Sequence, residues 1–169
     1  RSAVDIANEL QAIGANLGAG GSWDATSVSM QTLTKNFDKA LDIFADVIQN
    51  PTFPEKEFES LRQRQVIGLR QQKSNPNAIS NTVYNKVLYG THPYGRDNTE
   101  ATLKALTRDD VVRYYETTFH PAKGVLIVIG NYDRSSMKSK LESAFSRWEG
   151  IGAAIRPFPL PPSPFRPPG

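Results

Sequence analysis

The chain has 169 residues, a formal net charge of +3 and 38% hydrophobic residues, values typical of one soluble globular domain with a buried core. It contains no cysteine, which excludes disulfides, thiolate zinc sites, iron–sulfur clusters and a cysteine nucleophile. The cellular compartment stays open, because periplasmic and cytosolic chains can both lack cysteine.

Charge and hydropathy argue against two classes of partner. The isoelectric point is about 9.2, yet Arg62, Arg64, Arg70 and Lys73 share one predicted helix without the interleaved aromatic residues of a nucleic-acid surface. No apolar run approaches the roughly 18 residues of a membrane span. The chain begins inside a helical pattern, with neither Met nor the apolar core of a signal peptide, which predicts a fragment of a longer protein.

The first predicted elements are a helix and a pair of strands. Ser2 can cap a helix that runs to about Ile13, and Gly14 is suited to end it. The glycine-rich stretch that follows and the alternating stretch Thr26–Leu33 predict two antiparallel strands, joined around residues 20–24.

Helices are predicted for the middle of the chain. Asn36 is a candidate cap for a helix over Phe37–Gln49, whose apolar side chains recur at helical spacing. After two prolines, a long helix is predicted from about Pro54 to Lys73. Further helices are predicted over Ala78–Tyr89, over Glu100–Ala105 and, behind a capping box of Thr107 and Asp110, as far as Thr118.

The last third of the chain predicts a buried strand, a helix and a tail. The apolar run Gly124–Gly130 is typical of a buried strand, and Asp133 is suited to cap a helix over Ser135–Phe145. The stretch 157–169 holds seven prolines in thirteen residues, which favours a semi-rigid linker, with a ligand of SH3-type domains as the alternative. We therefore expect one domain over residues 1–149 and a Pro-rich linker or tail over 150–169.

Five stretches in a fixed order carry a family resemblance. They are RSAVDIANELQAIGANLGAGGSWDAT (1–26), NPTFPEKEFESLRQRQ (50–65), LYGTHPYGR (88–96), LTRDDVVRYYETTFHPAKGVLIVIGNYD (106–133) and FSRW (145–148). Together they resemble the pitrilysin/insulinase superfamily of zinc metallopeptidases, which includes mitochondrial processing peptidase and paired bacterial homologues. The resemblance covers nearly all of the chain before the Pro-rich tail.

The resemblance implies an α+β fold, a two-layer unit in which a mostly antiparallel sheet packs against helices. It also implies that such units pair around a chamber that admits peptides. In the family an H-x-x-E-H helix binds zinc and activates water, and a downstream glutamate completes the metal site. That helix would lie upstream of Arg1, so this chain contains no H-x-x-E-H. His92 lies in a turn and His120 precedes a proline, and both are predicted to be structural.

Under this resemblance, two positions of the long helix determine whether the chain carries the family's downstream zinc-binding glutamate. Alignment on Glu57, Glu59 and Arg62 places the family's two functional glutamates at Gln63 and Arg70. Arg70 stays protonated and offers no lone pair, so it cannot ligate zinc. The interpretation is that this chain has no catalytic or metal-ligating residue of its own, and that zinc belongs to a catalytic partner unit.

The resemblance also implies a substrate-binding edge. In active relatives the strand after the first helix accepts a peptide as an additional strand, and the corresponding residues here are Leu17, Gly18, Ala19, Gly20 and Gly21. Active enzymes usually have Asn and then Ala where this chain has Gly18 and Ala19, so the Asn side chain is missing while the backbone groups remain. An ordinary exposed strand edge is the alternative.

Three functions follow as hypotheses. The first is a non-catalytic unit that helps to wall the chamber and binds peptide or unfolded polypeptide, with a homologous catalytic subunit or a second half of the same chain as its partner. The second is a catalytic zinc endopeptidase domain. Under this hypothesis the alignment that places the family's glutamates at Gln63 and Arg70 is wrong. The third is a scaffold subunit without a proteolytic role.

Overall fold

The computed structural model describes residues 1–148, apart from the side chain of Lys123. Within this range the chain forms seven α-helices and two β-strands, and it divides into two compact units. Among the described residues, the first unit contains Arg1–Thr52 and residues 119–148, and the second contains Phe53–Thr118. The predicted Pro-rich tail lies outside the described residues. No helix among residues 1–148 is long and apolar enough to cross a membrane.

The first unit opens with helix α1, Ala3–Ala12. Its start is set by a capping box, in which the Ser2 Oγ accepts from the Asp5 N–H at 3.1 Å and the Asp5 carboxylate accepts from the Ser2 N–H at 2.8 Å. The helix ends at Ala12 with Ile13 as its C-cap, and the next residue, Gly14, has a φ of +61°, which is unfavourable for residues with a Cβ. The predicted cap and stop signals are both confirmed.

Strands β1 (Asn16–Gly21) and β2 (Thr26–Gln31) follow as an antiparallel hairpin. In its register Leu17 lies opposite Met30 and Ala19 lies opposite Val28. Because alternate side chains of a strand share a face, Leu17, Val28 and Met30 reach the same apolar cluster of the helices. The hairpin therefore covers one side of the helical core.

That core is built on helix α2, Phe37–Gln49, whose bounds agree with the prediction. Leu41, Phe44 and Ile48 form the buried cluster, and helix α7 (Arg134–Phe145) packs on it. The rings of Phe44 and Phe145 meet nearly at right angles with centroids 6.2 Å apart, a favourable aromatic geometry. An antiparallel sheet packed against helices confirms the predicted α+β fold.

Asn36 occupies the N-cap position of α2, as predicted, but its side chain does not cap the helix. Its Nδ2 instead donates to the Ile13 carbonyl oxygen at 2.6 Å, which joins the start of α2 to the end of α1. Asn36 thus donates to a distant carbonyl oxygen, whereas a capping side chain accepts from a backbone N–H of its own helix.

The second unit contains four helices, three of which match the predicted spans closely. They are α3 (Glu55–Gln72), α4 (Pro76–Tyr89), α5 (Glu100–Ala105) and α6 (Arg108–Thr118). Helix α4 begins two residues before the predicted start, because the Asn75 side chain caps it and Pro76 occupies its first turn. Arg62 of α3 donates to the carbonyl oxygens of Lys104 and Leu106, which holds the end of α5 to α3.

The predicted strand Gly124–Gly130 is wrong for the described residues. The stretch forms no β-strand, and most of its apolar side chains are exposed. A strand is stabilised by hydrogen bonds to a neighbour, and the only sheet within residues 1–148 pairs β1 with β2. High apolar content alone therefore does not make this segment a buried strand.

Candidate functional site

The candidate peptide edge is strand β1, which pairs with β2 along one side. Within the described residues the sheet has two strands, so the other side of β1 has no neighbouring strand. Leu17 is half-buried against the α2 cluster, and the remaining residues of β1 are exposed. An exposed edge of this kind presents backbone N–H and C=O groups that a further strand can bind.

The glycines of β1 leave free space beside the backbone. A Cβ atom built at Gly20 or Gly21 meets no atom within 4 Å, and one at Gly18 meets only the Ser29 Oγ, at 3.4 Å. Packing inside the described residues therefore does not require glycine at these positions. Their consequence is a strip of bare backbone that another chain can approach closely.

A hydrogen-bonded turn follows the strand. The Ser22 N–H donates to the Ala25 carbonyl oxygen at 2.8 Å, and the Ser22 Oγ accepts from the N–H groups of Asp24 and Ala25. The turn carries Trp23, which is 63% exposed. An indole is therefore held at the surface two residues beyond the end of β1.

The ligand-helix positions assigned by the resemblance lie on α3, and both are exposed. Arg70 forms an ion pair with Glu100, because its Nε and Nη2 atoms donate to the Glu100 carboxylate at 3.1 and 3.0 Å. Gln63 lies two turns earlier on the same helix. The structure thus places a guanidinium in an ion pair where the resemblance would require a zinc-binding carboxylate.

Glu100 is the residue that sequence reasoning missed. Lys73 also donates to its carboxylate, at 3.2 Å, and the Lys104 ammonium lies 3.7 Å away. Hydrogen bonds from Arg70 and then Lys73 lower the pKa of Glu100 to about 2. Its sequence position at the start of α5 indicated a favourable charge in a helix first turn, but nothing local pointed to a partner thirty residues away.

Zinc does not fit this face of α3. Arg70 has no lone pair to offer and already neutralises the nearest carboxylate. Among residues 1–148, no three His, Cys, Asp or Glu side chains lie close enough together to hold a metal ion. Both histidines have structural roles in turns, since the Nδ1 of His92 accepts from the Tyr94 N–H and that of His120 accepts from the Ala122 N–H.

Comparison with known families decides the relationship. Residues 1–96 match the model of the insulinase family, peptidase family M16, and residues 105–169 match the model of the peptidase M16 inactive domain. The chain belongs to the insulinase family of peptidases. The predicted membership of the pitrilysin/insulinase superfamily is confirmed, and the chain includes a non-catalytic domain of a pitrilysin-type peptidase.

Individual relatives agree with this assignment. A protein of Rickettsia felis named an uncharacterized zinc protease is 28% identical over 148 residues, which are 86% of this chain and 36% of that protein. Subunit beta of the mitochondrial-processing peptidase of Lentinula edodes is 28% identical over 151 residues, 86% of this chain and 32% of its own length. This insulinase-family chain therefore spans about a third of the relatives that it matches.

A solved structure agrees on the fold. The peptidase M16 inactive domain from Pseudomonas fluorescens superposes with a TM-score of 0.87 at 24% identity, covering 96% of this chain and 40% of that one. The relatives include a protein named as a zinc protease and one named as a subunit. These names associate zinc with the family, and they do not say which part of the protein binds it.

Proposed function

We propose that this chain binds an extended peptide along β1 and leaves hydrolysis to a zinc-containing unit elsewhere. That unit is either a homologous catalytic subunit or another half of the same protein. The observation that carries the peptide-binding role is the unpaired outer side of β1 among the described residues. A peptide that adds there gains main-chain hydrogen bonds that do not depend on its sequence.

The position of Arg70 supports the absence of a catalytic role. A positive charge at a zinc-ligand position repels the dication, and the ion pair with Glu100 holds the guanidinium in place. Gln63 can still accept or donate a hydrogen bond, but a neutral amide lacks the charge of the glutamate that it replaces. We infer that the α3 face retains the shape of the family helix without its metal chemistry.

Proline substitution of β1 in the full-length protein tests peptide binding. Successive N–H groups of a strand point to opposite sides, so Ala19→Pro and Gly20→Pro remove one donor toward β2 and one donor toward the open edge. The variant that loses the outward donor should keep the wild-type melting temperature and bind a short fluorescein-labelled peptide about tenfold more weakly, as measured by fluorescence anisotropy. The other variant, which loses a ladder hydrogen bond, should show a lower melting temperature.

Two outcomes would overturn the proposal. If the proline variant with native thermal stability binds the peptide as tightly as the wild type, β1 is not the binding edge, and the scaffold hypothesis is favoured. If the full-length protein alone hydrolyses peptides and a chelator abolishes that activity, the catalytic hypothesis replaces the non-catalytic one. The expected result is cleavage only after a homologue carrying H-x-x-E-H is added.

A further inference from the structure

A cluster of three cations around one carboxylate joins α3 to α5 in the second unit. Arg70 and Lys73 donate to Glu100 at the start of α5, and the Lys104 ammonium on that helix lies 3.7 Å from the same carboxylate. Within residues 1–148, Glu100 is the only acidic residue that pairs with any of the three. The peptide-binding role of β1 makes no use of this cationic cluster.

The charges of the cationic cluster do not balance. Glu100 supplies one negative charge at neutral pH, because hydrogen bonds from Arg70 and then Lys73 lower its pKa to about 2. Arginine and lysine side chains are positive at the same pH, so two positive charges are left over. All three cations lie within 3.7 Å of one carboxylate, and hence within about one Debye length of each other, roughly 10 Å at 0.1 M salt. Their repulsion is therefore poorly screened, and a second anion nearby would reduce it.

The cations of the cluster are more accessible than the carboxylate. The side chains of Arg70, Lys73 and Lys104 are 58%, 72% and 60% exposed, whereas that of Glu100 is 24% exposed. An arginine has five N–H donors and a lysine ammonium has three, of which Arg70 donates two and Lys73 donates one to Glu100. An anion from solvent can therefore approach the remaining N–H donors more closely than it approaches the carboxylate that repels it.

The composition of the two helices favours a carboxylate over a nucleic acid. Proteins that bind single-stranded nucleic acids combine basic residues with aromatic side chains on which the bases stack. Helix α5 has no aromatic residue, and α3 has none after Phe58. Lysine ammonium groups pair with the carboxylates of Asp and Glu, which are the acidic groups that a peptide carries.

We propose that the cationic cluster binds an acidic residue of a peptide, with Lys73 and Lys104 contacting the peptide carboxylate and Arg70 holding Glu100 in place. The choice of a peptide as the partner rests on the proposed function of this chain. The cluster acts in addition to β1, because main-chain pairing is independent of peptide sequence, whereas the cluster recognises negative charge. The chain therefore prefers acidic peptides to neutral ones.

The test compares two peptides on the full-length protein by fluorescence anisotropy. Both are labelled with fluorescein, and they differ only in three central residues, which are glutamates in one peptide and glutamines in the other. The variant Lys73→Gln/Lys104→Gln removes the two lysines of the cluster and leaves the guanidinium–carboxylate pair in place. The control Lys39→Gln/Lys138→Gln removes two exposed lysines outside the cluster, so the net charge changes equally.

The wild type should bind the glutamate peptide about tenfold more tightly than the glutamine peptide in about 50 mM salt, because two or three surface ion pairs contribute about two- to fivefold each. This preference should fall below about threefold in about 500 mM salt, since screening weakens exposed ion pairs. The cluster variant should lose most of the preference and bind the glutamine peptide within about twofold of the wild type. The control should keep the preference.

The results separate failure of the cluster from failure of the proposed function. If the wild type binds both peptides equally, the cluster inference is wrong while peptide binding by the chain stands. If it binds neither peptide, the proposed function fails and the inference fails with it. An equal loss of preference in the control would show that net charge, rather than the cluster, attracts the peptide. Tighter binding of labelled single-stranded oligodeoxythymidine than of the glutamate peptide would overturn the choice of a peptide.

Melting temperatures separate a loss of binding from a loss of folding. The double variant should melt close to the wild type, because both lysines are exposed. If it melts at a clearly lower temperature, Lys73→Gln alone should lower the preference about threefold at native stability. An unchanged preference in that folded single variant would also overturn the inference.

Discussion

Helix α2 and the segment Val125–Ile129 are both rich in apolar side chains, yet their environments are opposite. In α2, Phe44 is 7% exposed and packs against Phe145, with the hairpin on the same cluster. In the segment, Val125 is 85% exposed and Ile129 is 92% exposed. The difference shows that apolar sequence becomes core only where neighbouring elements supply matching surfaces, as α7 and the hairpin do for α2.

The largest effect is expected from Phe44→Ala. Removing a buried ring that contacts Phe145 should lower the free energy of unfolding by about 3–5 kcal/mol. Urea titration followed by circular dichroism measures this change. A loss below about 1 kcal/mol would show that the α2 cluster is not the main core. The contrast between α2 and the segment Val125–Ile129 would then not hold.

An intermediate effect is expected at the contact between α2 and α7. The Gln49 Nε2 donates to the Ala144 carbonyl oxygen at 2.9 Å and to Ala45 of its own helix. Gln49→Ala should cost about 1 kcal/mol, the usual net contribution of such a hydrogen bond, in the same urea titration. Lys39→Ala, at an exposed position of α2, is the control and should stay within about 0.5 kcal/mol.

The exposed apolar segment should respond differently. Ile129→Ser removes an exposed side chain and should change the unfolding free energy by less than about 0.5 kcal/mol. It should also raise the protein concentration at which light scattering detects aggregation, because a run of exposed apolar residues favours association. A destabilisation above about 2 kcal/mol would instead show that Ile129 packs against another part of the protein.

The smallest effect is expected at the Glu100 cluster, because the three cations around the half-buried Glu100 are exposed to solvent. Since Arg70 and Lys73 lower the pKa of Glu100 from its usual 4.5 to about 2, the ion pairs stabilise the fold fully above pH 4.5. This contribution is lost as the pH falls toward about 2. Glu100→Gln should therefore lower the melting temperature slightly at pH 7, and the difference from the wild type should disappear near pH 2.

A control for the Glu100 experiment comes from α7. Lys138 and Glu142 form an exposed pair at helical spacing, with atoms 3.6 Å apart. Glu142→Gln should change the melting temperature even less, because one isolated surface pair contributes little. Equal effects of the two substitutions at pH 7 would contradict the idea that three cations act together on Glu100.

Many elements of the fold could be predicted because their signals are local. The spans of α2 and α5 follow from apolar spacing and helix breakers within a few residues. The Ser2 cap and the capping box of Thr107 and Asp110 likewise depend on residues within one helical turn, and both form. For the candidate site, the structure confirms that residues 17–21 belong to a strand and that Arg70 lies on α3, while the functional roles of these residues stay predictions.

The sequence alone was enough to locate the helices and the hairpin and to exclude a zinc ligand at Arg70, because backbone preferences and side-chain chemistry reside in the residues themselves. Tertiary structure decided that Asn36 binds the Ile13 carbonyl, that Glu100 pairs with Arg70, and that Lys73 meets Lys104 at the same carboxylate. It also decided that 124–130 does not pair within the described residues. Each of these results depends on which distant segments meet, and periodicity within one segment carries no information about its neighbours in space.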